Sequence, residues 1–246
     1  MRHHNSKKER SDKGTVRING RDLRCLHWLL DMGAAYEDDL TLVLSPDQRL
    51  SSGAAKAVVR RWQVAGLARA DALLADRGRI VRLTENAARL LGDVARWEDR
   101  SVMAAVHTAE VARTRLLLER WTSLAQIPVV SWTTPYQWRL ENERAVAAGF
   151  HVPDGVVRHT DGSIAAVQVE RINRGVAYAR SVAVDLLRRF PRTIYAFPEE
   201  GEEIRQVVMS GAREAAELIR RGGGTAGEAI FVPIPVRLVF DHALGA

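Results

Sequence analysis

Cysteine is almost absent: Cys25 is the only one in 246 residues. A single thiol closes no internal disulfide and supplies no cysteine-rich zinc site, and it suits a reducing compartment. Lysine is scarce as well. The four lysines, Lys7, Lys8, Lys13 and Lys56, all lie in the first quarter, so the last three quarters hold no amine to assist a nucleophile. No apolar run approaches transmembrane length, and the basic N-terminus leads into no signal-peptide core. These absences predict a soluble protein of the cytoplasm and nucleoid with no membrane partner.

What is present is an ordinary apolar fraction of 46%, enough for one large domain or two small ones. The charge is unevenly placed. Residues 1–92 carry 17 Lys and Arg against 11 Asp and Glu, whereas residues 93–246 carry 19 of each. The whole formal excess of +6 belongs to the N-terminal third. A basic segment beside a neutral one points to a polyanion-binding module joined to a second unit.

Residues 1–19 are polar and basic, with His3-His4 near the start, and predict a disordered arm. Residues 20–92 predict one domain. A helix spans 21–33, with Leu23, Leu26, Leu29 and Leu30 on one side and Gly33 as its stop. A short helix follows over about 37–44, then a third over about 53–65. On the third, Val58, Trp62 and Ala65 share an apolar face, and Lys56, Arg60 and Gln63 lie opposite at i, i+4 and i+7, with Arg61 at the flank. Two strands, Leu67-Ala68-Arg69 and Arg79 to Leu83, are joined by the turn signal Asp76-Arg77-Gly78, and Thr84 caps a closing helix. Three helices, a two-stranded wing and a further helix make a winged helix-turn-helix. Lys56, Arg60, Arg61 and Gln63 are the candidate contacts to double-stranded DNA, with Arg77 and Arg79 on the wing.

Residues 93–125 read as a linking helix that contains His107, which the pattern treats as a packed or solvated residue. Trp132 and Trp138 read as core. From 126 onward the order is hairpin, helix, strand, helix, strand, a layered α/β domain. Val156-Val157 and Ile164 to Val169 form the hairpin, 173–190 and 201–220 the helices, Thr193 to Phe197 and Ile230 to Phe240 the later strands. On the second hairpin strand Gln168 and Glu170 share one face, and Val167 and Val169 the other.

Pro153-Asp154-Gly155, followed by Val167-Gln168-Val169-Glu170, has the outline of a metal-dependent nuclease site. Such sites use two carboxylates for a divalent cation and a lysine for the attacking water. With the winged helix and the His107 helix before it, this outline resembles the replication-relaxation proteins of bacterial, mainly actinobacterial, plasmids and integrative elements, over roughly residues 20 to 235. The resemblance implies an N-terminal winged helix and a C-terminal domain similar to the PD-(D/E)XK nucleases. Asp154 matches the aspartate of the Pro-Asp motif. Gln168 stands where the family usually has glutamate, and Glu170 where it has aspartate. The amide removes one negative charge, and no lysine follows. Asp154 and Glu170 would then hold Mg²⁺ only weakly, with Glu141 or Glu143 as a candidate third carboxylate, and Arg171 and Arg174 could clamp a phosphate without cleavage. The leading expectation is a DNA-binding protein of a mobile element, acting in transcription, replication or transfer control, with an inactive nuclease-like domain that serves homodimerisation, partner binding or additional DNA contact. The alternatives are a Mg²⁺-dependent DNA nuclease or nickase, and an interaction scaffold that binds no DNA.

Overall fold

The structure is a computed structural model that describes residues 17–46, 50–74, 77–99 and 101–238. The basic arm up to residue 16, Asp76 of the expected turn and the end of the last expected strand lie outside them.

The N-terminal unit begins with α1 (Gly20–Met32). Asn19 caps it reciprocally with Asp22: each backbone N–H donates to the other's side chain, at 2.9 and 3.0 Å. Gly33 ends it at φ 83°, where a Cβ would be strained. Cys25, Leu26, Leu29 and Leu30 are buried, but Leu23, expected on the same face, is exposed. Then come β1 (Ala35–Tyr36), α2 (Leu40–Leu44) and α3 (Ser52–Val64), whose N-terminus Ser51 caps. Hairpin strands β2 (Ala68–Asp71) and β3 (Ile80–Leu83) follow, and Thr84 caps α4 (Glu85–Leu90). The three strands form an antiparallel sheet in the order β1-β3-β2.

A 3-10 turn (Val94–Arg96) leads into α5 (Val102–Arg120) and α6 (Thr122–Ala125). The second unit contains β4 (Val129–Thr133), α7 (Pro135–Glu141), α8 (Glu143–Ala147), β5 (Gly155–His159), β6 (Ile164–Val169), α9 (Val176–Arg189), β7 (Arg192–Pro198), α10 (Glu202–Arg221) and β8 (Glu228–Ile234). Its five strands lie in sequence order, with β4, β5 and β6 antiparallel and β6, β7 and β8 parallel. The parallel pairs require crossovers, and α9 and α10 supply them. These helices touch closely: a Cβ at Gly211 would sit 2.6 Å from the Ala179 Cβ. The chain is therefore a mixed α+β protein.

The sheet has two differently covered faces. Ala166 and Tyr195 pack under α9 and α10 with Val182, Leu186, Val208 and Ala212. Val167, Val169, Ile194 and Val232 face α5, in a cluster that continues through Val111, Ala112 and Leu118 to Leu29, Val59 and Trp62. Twelve of the 19 residues of α5 are buried, because the helix is packed on both sides rather than bridging solvent.

Charged bonds tie the two units across α5. Glu110 is 1% exposed and accepts from the Tyr36 hydroxyl at 2.8 Å and from Arg77 Nη1 at 3.0 Å. Arg113, also 1% exposed, donates to both Asp39 oxygens at 2.8 and 3.1 Å and to the Pro235 and Val236 carbonyls, and its guanidinium lies 4.0 Å from the Tyr36 ring centroid. Each buried charge thus has an opposite charge beside it, the condition under which such burial is tolerated.

Candidate nucleic-acid interface and carboxylate cleft

Alternation of burial along α3 sets the first surface. Ala55, Val58, Val59 and Trp62 turn inward, and Lys56, Ala57 and Arg60 turn outward. With Gly53, Gln63 and Arg79 these outward residues line a concavity of about 550 Å³. Four of the six expected DNA contacts, Lys56, Arg60, Gln63 and Arg79, are thereby brought together. Arg60 is exposed and has no ion-pair partner among the described residues. Lys56 lies 3.6 Å from Asp38, and Arg79 is paired with the buried Glu37, whose hydrogen bond holds the Arg79 pKa above its usual value.

The other two expected contacts are placed differently. Arg61 donates to both oxygens of the buried Asp22, at 2.6 and 2.7 Å, so its charge holds α3 against α1. Arg77 is bound to Glu110 and Glu200 and is only 12% exposed in its side chain. The reason is local apolarity. Leu73 and Leu74 pack with Ala105, Val106 and Ala109 of α5, so Arg77 lies against that helix rather than on a free wing.

The second surface is a cleft of about 360 Å³ at the end of β6. It is lined by His107, His151, Asp154, Gln168, Glu170, Arg171 and Arg174, with Met103, Ile172 and Tyr178 among its apolar residues. The sheet register explains the placement: Gly155 pairs with Val167, so the residue before β5 meets the end of β6. Asp154 Oδ2 accepts from the Val169 N–H at 2.8 Å, and Asp154 Oδ1 lies 2.8 Å from His107 Nε2. Gln168 Nε2 donates to Glu170 Oε1 at 3.3 Å, and Gln168 Oε1 lies 2.8 Å from His151 Nε2.

Electrostatics follow from these contacts. Burial alone would lower the His107 pKa, but the hydrogen bond and charge of Asp154 outweigh it and raise the pKa above the ordinary histidine value. Burial, followed by the charge of Asp154, raises the pKa of Glu170. The two carboxylates expected to share a cation are thus already engaged, one with an imidazole and a backbone N–H, the other with an amide. The expected third carboxylates do not join them. Glu141 lines a separate cleft with Trp138, Arg158 and Arg189, and Glu143 lies on α8 outside the Asp154 cleft. Among the described residues, no three His, Cys, Asp or Glu side chains gather as a metal site.

His107, read from sequence as packed or solvated, and His151, not named there, both line the cleft. Nothing local signals the first, because its partner lies 47 positions away. The second stands two positions before Pro153, and that proximity was its only cue.

No protein-family model matches the chain, and no curated protein or solved structure matches it. No described helix is long and apolar enough to cross a membrane.

Proposed function

We propose that the chain is a duplex-DNA-binding protein of a plasmid or integrative element, acting in transcription, replication or transfer control. In this reading residues 20–92 are a winged helix-turn-helix, and the five-stranded unit is a PD-(D/E)XK-like domain without nuclease activity. The observation that carries it is the exposed face of α3. Lys56, Arg60 and Gln63 project from one side of the helix that follows α2 in the chain, with Arg79 of strand β3's lead-in beside them. Ala57 between them leaves room for a close approach. A helix of this kind docks in the major groove through such a face, and arginine and lysine there serve phosphates and guanines alike.

The test is a gel shift with the full chain on duplex fragments across a salt series. Each phosphate neutralised contributes a log–log slope of about −0.9 on B-DNA. Arg60→Ala and Lys56→Ala are expected to weaken binding and to flatten that slope by about one unit for each phosphate no longer neutralised, with unchanged melting. Wild-type affinity in both variants would place the interface elsewhere. A Mg²⁺ plasmid-nicking assay run beside it is expected to show no cleavage, and cleavage that disappears in Asp154→Ala would favour the nuclease reading.

A further inference from the structure

The cleft at the end of β6 places cations of the chain itself where the family resemblance implies a metal ion. Arg171 and Arg174 line it, and neither has an ion-pair partner among the described residues. Arg174 is positioned by the Tyr178 hydroxyl, to which Nη1 donates at 2.6 Å, and its guanidinium lies 4.8 Å from that ring's centroid. The 14-residue helix α9 begins at the same place. Its N-cap Gly175 provides no side-chain bond to the first turn, and Tyr178 of that turn lines the cleft. An uncapped helix start beside two arginines is a favourable environment for an anion.

The carboxylates present are hydrogen-bonded within the cleft, and the Arg174 charge also acts on Glu170. Both oxygens of Asp154 are hydrogen-bonded, to His107 and to the Val169 N–H, and Glu170 accepts from Gln168. Met103, 62% exposed, and Ile172, 50% exposed, add apolar surface to the lining. The volume of about 360 Å³ falls in the range of small-molecule sites, roughly 300–1,000 Å³.

We infer that this cleft binds the phosphate monoester of a nucleotide without a divalent cation, Arg171 and Arg174 taking the phosphate and Met103, Ile172 and Tyr178 the sugar and base. Guanidinium groups suit this ligand because their planar donors match phosphate oxygens. The source is either a free mononucleotide or the 5′ end of a single strand. The inference is independent of DNA binding by α3.

The experiment is calorimetric titration of the full chain in EDTA with three probes: adenosine monophosphate, a 5′-phosphorylated single-stranded oligonucleotide, and its 5′-hydroxyl twin. Binding of the monophosphate, or of the phosphorylated strand in clear preference to its twin, is expected. The two outcomes separate the free ligand from the strand end. The Arg171→Ala/Arg174→Ala variant is expected to lose about tenfold or more in affinity while keeping its melting temperature and its duplex binding. Arg60→Ala, on the other surface, should leave the titration unchanged. If the double variant does not fold, Arg174→Gln alone carries the same comparison, since that side chain is exposed. The inference is overturned if no probe binds in EDTA, if Mg²⁺ is needed, if the twin binds as well as the phosphorylated strand and the monophosphate does not bind, or if the arginine variants bind as wild type does.

Discussion

Replacing Arg113 with alanine should be among the most damaging single changes in this chain. Among the described residues the guanidinium is the only cation bonded to Asp39, which is itself 2% exposed. It also satisfies the carbonyls of Pro235 and Val236 just beyond β8 and covers the Tyr36 ring. Truncation would leave a buried carboxylate and two carbonyls without these donors. Removing one partner of a buried pair costs about 3–5 kcal/mol. For a chain of this length that corresponds to a melting decrease of roughly 6–20 °C. The effect should depend on pH. Burial already pushes the Asp39 pKa up to about 6, against the opposing charge of Arg113. A raised carboxylate pKa means that the folded state holds the proton more tightly, so its contribution favours folding at low pH and is lost as pH rises through that value. Without Arg113 the pKa should rise further, and the loss should be larger at pH 8 than at pH 5. Urea unfolding of wild type, Arg113→Ala and Arg113→Met/Asp39→Leu at both pH values provides the measurement. The double apolar variant should recover much of the loss, because no charge is left unpaired. A decrease below about 1 kcal/mol in Arg113→Ala, or a double variant no better than the single one, would refute the assignment of this pair as the bolt between the two units.

Other outcomes follow from the same reasoning. Arg77→Ala should lower stability by about 3 kcal/mol, since Glu110 would keep only the Tyr36 hydroxyl, yet leave duplex affinity unchanged in a gel shift; reduced affinity with unaltered melting would return Arg77 to the DNA surface. Gly155→Ala would put a Cβ 2.1 Å from the Trp132 ring, and overpacking of this kind costs about 1–3 kcal/mol or more, readable as a lower denaturation midpoint. The raised pKa of His107, which faces Asp154, Arg171 and Glu170, predicts stability that is present below the ordinary histidine pKa and lost as pH rises through the raised value. Melting of wild type should therefore fall between pH 6 and 8.5 by more than that of His107→Gln, and parallel profiles would contradict the pairing.

Local chemistry is strong where the sequence was most legible. The 3.6-residue period of Val58 and Trp62 against Lys56, Arg60 and Gln63 determined which side of α3 faces out, because burial of one stripe leaves the other wet. Thr84 and Gly33 marked helix ends through capping. Alternation along Ile164 to Val169 fixed which side chains share a face, since a strand repeats every two residues. β1 was not legible: two residues carry no period, and Ala35 and Tyr36 become a strand only by pairing with Val81 and Ile80. The partners of the charges were likewise decided by the tertiary fold alone. Arg61 and Arg77 read as surface cations like Arg60 until Asp22 and Glu110, 39 and 33 positions away, took them up. His107 reached Asp154 for the same reason. Periodicity reports which side of an element is buried, but a buried carboxylate draws whichever cation the packing of distant elements brings within hydrogen-bond reach, and no local pattern records that choice.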